Sequence, residues 1–130
     1  MAEAAAAVAG VFANTLAARG LFCDLLAQAP LNLERHVSLD AVRTLKLVTL
    51  AEVDAIVAVV RQLLPRLTER DSVDLIAAAT AMSGAFWQMA TPGPEVAALY
   101  RSDPRLAHAV VDVEPRAARL LEAMLKGMLA

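Results

Sequence analysis

Between Asp71 and Thr91 apolar residues recur at helical spacing on more than one face. Leu75, Met82, Phe86 and Met89 share one side, and Ile76, Thr80, Ser83 and Trp87 share the next side round. Ala77, Ala81 and Ala85 follow at intervals of four with Gly84 beside them, so a third strip is narrow enough for another helix to come close. A helix with so little wet surface lies in a core or between a core and a second subunit. The rest of the chain arranges itself around this stretch.

The pattern predicts helices throughout. Ala2 to Arg19 places Val8, Val11 or Phe12, Thr15 and Leu16 on one side and stops at Gly20. Leu21 to Gln28 is a short helix that Pro30 is expected to break, followed by an amphipathic turn from Leu31 to Val37. Ser38 caps a helix running to Leu64, with Leu39, Val42, Leu45, Thr49, Val53, Ile56, Val60 and Leu63 as its inner stripe. The capping-box pattern at Thr49 to Glu52 offers a restart there, but the stripe passes through in phase and favours one long helix. Thr68 or Asp71 caps the central helix. Pro92-Gly93-Pro94 turns the chain, Glu95 to Arg101 and Arg105 to Val111 are short helices, and Glu114-Pro115 opens a final helix with Ala117, Leu120, Leu121, Met124, Leu125 and Met128 on its apolar side.

Composition narrows the class. Of 130 residues 58% are hydrophobic, mostly Ala, Leu and Val, and only 4% are aromatic, which favours close helix packing in one all-α domain, an antiparallel bundle of about five to seven helices. With 12 basic and 14 acidic residues the net charge is −2, so the chain has no electrostatic footprint for a DNA backbone and is not expected to bind DNA directly. The uncharged runs Ala4 to Ala18 and Leu75 to Pro94 are too short or too interrupted for a membrane span. No basic segment precedes the first alanines, so no signal peptide is expected, and the cytoplasm is the expected location. Cys23 stands alone, and with His36 and His108 it makes no metal-ligand or catalytic spacing. Neither metal, cofactor nor enzymatic activity is expected.

Three stretches taken together, Pro30 to Lys46, Ala81 to Pro94 and Leu99 to Met128, resemble the C-terminal effector-binding and dimerisation domain of TetR-type transcriptional regulators. The resemblance implies a helical domain that pairs with a second copy, holds a small molecule, and works with a separate N-terminal helix-turn-helix unit. Only the alanine-rich Met1 to Arg19 precedes Leu21, too little for such a unit. The expected function is therefore effector sensing and dimerisation. The alternative is a stand-alone helical protein that pairs with full-length relatives and antagonises them.

Expected ligand contacts are Phe12, Phe22, Leu26, Thr80, Ser83 and Trp87, around an apolar or amphipathic small molecule. Trp87 supplies area, while Thr80 and Ser83 supply hydroxyls that orient a ligand or bond back to carbonyls one turn earlier. The expected homodimer interface takes Ala77, Ala81, Gly84 and Ala85 from the central helix, and Ala117, Leu121, Met124 and Met128 from the final one.

Overall fold

The computed structural model describes residues 1–130, except the side chain of Leu33. Six α-helices follow in order: α1 Ala2–Ala17, α2 Gly20–Gln28, α3 Leu39–Leu63, α4 Glu69–Ala90, α5 Pro94–Ser102 and α6 Val113–Leu129. A π-helical turn, Ala29–Leu33, extends α2, and a 3-10 turn, Pro104–Ala109, joins α5 to α6. There is no strand among the described residues, as an alanine- and leucine-rich chain with few aromatics dictates.

Helix α4 is the hub, packing against α1, α2, α3 and α6. Thr68 caps it, its hydroxyl oxygen accepting from the Asp71 amide at 3.0 Å. Gly84 lets α2 come against it, since a Cβ there would lie 3.1 Å from the Ala27 nitrogen and 3.4 Å from the Cys23 oxygen. The two helices run antiparallel, with the Asp24 carboxylate accepting from Gln88 Nε2 at 2.6 Å near one end of the contact. Gly20 opens α2 directly beneath Trp87, where a Cβ would come within 2.7 Å of the indole nitrogen. At this corner the chain turns by 89° from α1 into α2.

Helices α1 and α6 form the second antiparallel pair. Ala5, Ala9 and Ala13, each 1% exposed, leave one side of α1 nearly flat, and Ala117, Leu121 and Leu125 of α6 are equally buried. Small against medium side chains permits close approach along the full length of both helices. Asn14 Nδ2 donates to Glu114 Oε1 at 3.2 Å across the pair. The core continues through Leu64, Leu67, Leu75 and Ala79, where α3 and α4 meet.

Three expectations change. The α-helical winding of α2 ends at Gln28, as expected ahead of Pro30, but the chain goes on coiling through the π-helical turn that contains Pro30. Helix α6 begins at Val113, before Pro115, with Asp112 at the cap position but no side-chain hydrogen bond. Helix α3 is one unbroken helix capped by Ser38, yet its inner stripe is largely outside. Val57 and Val60 are buried, whereas Leu39 is 85% and Leu63 58% exposed. Only its C-terminal part packs on the bundle. The first half projects, tethered by the Lys46–Glu34 ion pair at 2.6 Å.

Candidate functional site

Because α3 leans away from α1, the two helices diverge around an apolar cavity of about 520 Å³. Along α1 the wall is Ala4, Ala7, Val8, Val11, Phe12, Thr15 and Leu16, one stripe at helical spacing. Facing it on α3 are Ile56, Val59, Val60 and Leu63, another such stripe. Ile76 and Thr80 of α4 and Phe22 of α2 complete the lining. Val8, Leu16, Val60 and Ile76 are buried and make the floor. Val11, Val59, Leu63 and Phe22 are exposed and ring the mouth.

No charged side chain lines this space. Of its two polar residues, Thr15 is exposed at one end, and the Thr80 hydroxyl donates to the Ile76 carbonyl at 3.0 Å and to the Ala77 carbonyl at 3.1 Å. That is the back-bonding expected of a threonine inside a helix. The volume falls in the roughly 300–1,000 Å³ range of small-molecule sites, and such sites are mostly apolar. A second depression of about 510 Å³ lies beside the end of α3, between Asp54, Arg61, Gln62, Pro65 and Glu69. It is shallow and charged at its rim, so filling it would desolvate polar groups without covering much apolar surface.

Of the residues expected to contact a ligand, Phe12, Phe22 and Thr80 line the cavity together. Leu26, Ser83 and Trp87 do not. Ser83 is 1% exposed, and neighbouring Gly84 packs on α2, while Trp87 sits over Gly20 at the α1–α2 corner. Leu26 is a half-buried residue at the edge of the core. The difference arises because α4 gives the cavity only the side bearing Ile76 and Thr80, and its later turns belong to α2. Most of the wall, on α1 and α3, was not among the expected contacts. Its signature is present in the sequence as two stripes in i, i+3, i+4, i+7 phase.

The expected interface residues also divide. Ala77, Ala81 and Ala85 are exposed, as a free strip on α4 requires, and Met124 and Met128 are half-buried at the edge of α6. Gly84, Ala117 and Leu121 are buried within the chain, Gly84 against α2 and the other two on the apolar face of α6. They are corrected to core residues, because α1 already covers the apolar side of α6 that the sequence leaves to a partner. Phe86 likewise stays within the chain, with the Arg116 guanidinium 5.8 Å from its ring centre.

Cys23 is fully buried and donates from Sγ to the Leu16 carbonyl at 3.1 Å. Burial pushes its thiol above the ordinary value, the opposite of what a nucleophile needs. No curated protein matches the chain. The family model for the tetracyclin repressor-like C-terminal domain matches residues 1–130, the whole of it. The all-α bundle, with an apolar cavity beside a hub helix, fits that match, and the chain belongs to the family of TetR-like C-terminal domains.

Proposed function

We propose that this domain senses a small apolar or amphipathic effector and pairs with a second copy of itself, as the regulatory half of a TetR-type repressor. The observation that carries the sensing role is the cavity of about 520 Å³ lined almost wholly by apolar side chains. Left to water, such a surface costs free energy that an apolar ligand would recover. DNA reading is assigned to a different unit of the regulator, in keeping with a net charge of −2. Catalysis has no part in this reading.

Pairing is supported by surface area. The chain exposes 8401 Å², against about 6,600 Å² for a compact monomer of its size. The surplus is comparable to what each partner of an obligate homodimer buries. The proposed face combines the Ala77, Ala81 and Ala85 strip of α4 with the Met124 and Met128 edge of α6. Both roles meet in α4, where Ile76 faces the cavity and Ala77, the next residue, faces outward. An effector that prefers one position of α4 therefore biases the pairing face, and through it the spacing of two DNA readers.

Thermal unfolding with a panel of hydrophobic metabolites tests the sensing role. A ligand at a hundredfold excess over Kd should stabilise the fold by about 2.7 kcal/mol. Ala7→Trp, at an exposed position on the rim, should fill the space and abolish the shift while leaving the unliganded fold intact. A panel that produces no shift, or shifts that persist in Ala7→Trp, would overturn the assignment.

A further inference from the structure

We infer that the cavity takes a single-chain amphiphile with an anionic head, its hydrocarbon lying between α1 and α3 and its head on Arg19. This rests on the effector-site reading above and names the chemical class of the effector. The first ground is shape. The α1 stripe from Ala4 to Leu16 extends over about 18 Å at the helical rise, so the apolar wall of the cavity is longest along α1. A flexible chain fits it better than a compact ring system.

The second ground is that the buried part of the cavity offers a polar head no partner, since of the two polar lining residues Thr15 is exposed at the Arg19 end. Thr80 has its hydrogen directed to the Ile76 and Ala77 carbonyls, and no charged group lines the wall. A charged head buried there would lose its hydration with nothing in return. It must stay at the mouth.

The third ground is a free guanidinium at one end of the cavity. At the Thr15 end, Arg19 Nη1 donates to the Thr15 carbonyl at 2.7 Å, which holds the guanidinium one hydrogen bond away from a lining residue. Four further N–H donors remain on that group, and among the described residues no carboxylate forms an ion pair with it. At the other end the exposed Glu3 adjoins Ala4, and Arg66 and Lys126 lie beside Met1, Ala2 and Ala5; of these only Ala4 lines the cavity. The nearest basic residue on α3, Arg61, is turned to the Leu67 carbonyl at 3.1 Å. An anionic head is thus drawn to Arg19, the basic group hydrogen-bonded to a lining residue, and a carboxylate matches the guanidinium's fork of donors.

Calorimetric titration of the full chain with dodecanoate, dodecanol and dodecyltrimethylammonium, each below its micelle concentration, tests the inference. Dodecanoate should bind saturably at one molecule per chain, about tenfold tighter than dodecanol, with the margin narrowing as salt rises. Arg19→Gln keeps a donor for Thr15 and should bring dodecanoate level with dodecanol without altering dodecanol binding. Arg19→Lys should retain most of the preference. If all three heads bind alike, if the cation binds best, or if uptake never saturates, the anionic-head assignment is overturned while the cavity reading stands. If no amphiphile binds but the compact probe cyclohexylbenzene does, the chain-like ligand is overturned. If none of these binds, the effector-site reading fails with it.

Discussion

Ser83 carries a buried side-chain oxygen without a hydrogen-bond partner among the described residues. A hydroxyl in that position has given up water and received nothing. Ser83→Ala removes the oxygen, keeps the shape and raises helix propensity, so it should stabilise the domain by about 1 kcal/mol. Urea unfolding measures this directly, and a loss of stability would reveal a role for the oxygen. Cys23 behaves differently because its group titrates. Burial raises its thiol above the ordinary value of 9.0 and outweighs the lowering effect of a backbone hydrogen bond. The native state therefore holds a proton that the unfolded chain has released. Stability from this group is intact below 9.0 and falls as pH rises past it toward the folded value, by at most about 1.4 kcal/mol per pH unit. Unfolding curves from neutral pH upward should decline more steeply for the wild type than for Cys23→Ala, and parallel curves would refute the linkage.

Among elements, α3 departs most from what its sequence suggests. Its apolar residues keep helical phase for 25 residues, yet only the part near Val57 and Val60 has another helix to lie on. Leu47→Gln, on the projecting half, should change stability by less than about 0.5 kcal/mol, whereas Val60→Ala, on the packed half, should cost about 2 kcal/mol. Amide hydrogen exchange should follow the same division, fast from Leu39 to Leu50 and slow beyond Val57. Equal protection along the whole helix would mean the projecting half is covered in solution. Periodicity shows which side of a helix is apolar, and that was legible for the longer helices, although α1 buries its alanine side, Ala5, Ala9 and Ala13, and turns much of the stripe read from sequence to the cavity. It does not show how far along its length a helix finds a partner, because that depends on the 89° turn at Gly20 and on the angle at which α3 leaves Leu64. The same limit explains the cavity residues. Phe12, Phe22 and Thr80 were legible as apolar or amphipathic positions on packed helices, but the divergence of α1 from α3 that makes a space between them is set by contacts distant in sequence. The caps were easier, since Ser38 and Thr68 act on amides three residues away.

On the scale of the whole molecule, the proposed homodimer is the claim with most to lose. A surface of 8401 Å² exceeds the about 6,600 Å² expected of a compact monomer of this length, and the exposed residues include large apolar ones, from Leu47 and Val48 on α3 to Met89 on α4. The structure also decides how the proposal can be tested. Leu121 is fully buried, so Leu121→Arg would place a charge in the core of one protomer and destroy the fold whether or not a dimer exists. Ala81 is exposed at the centre of the α4 strip, so Ala81→Glu leaves the protomer's own packing untouched and places an unpaired charge only in the shared face. If α4 and α6 pair with their symmetry mates, sedimentation equilibrium should give a dimer for the wild type at tens of micromolar, and a monomer with lowered melting temperature for Ala81→Glu, since folding and association are linked. A wild-type chain that sediments as a stable monomer would overturn the dimer altogether. A wild-type dimer unaffected by Ala81→Glu would move the interface away from α4, and the apolar projecting half of α3 would then be the face to substitute next.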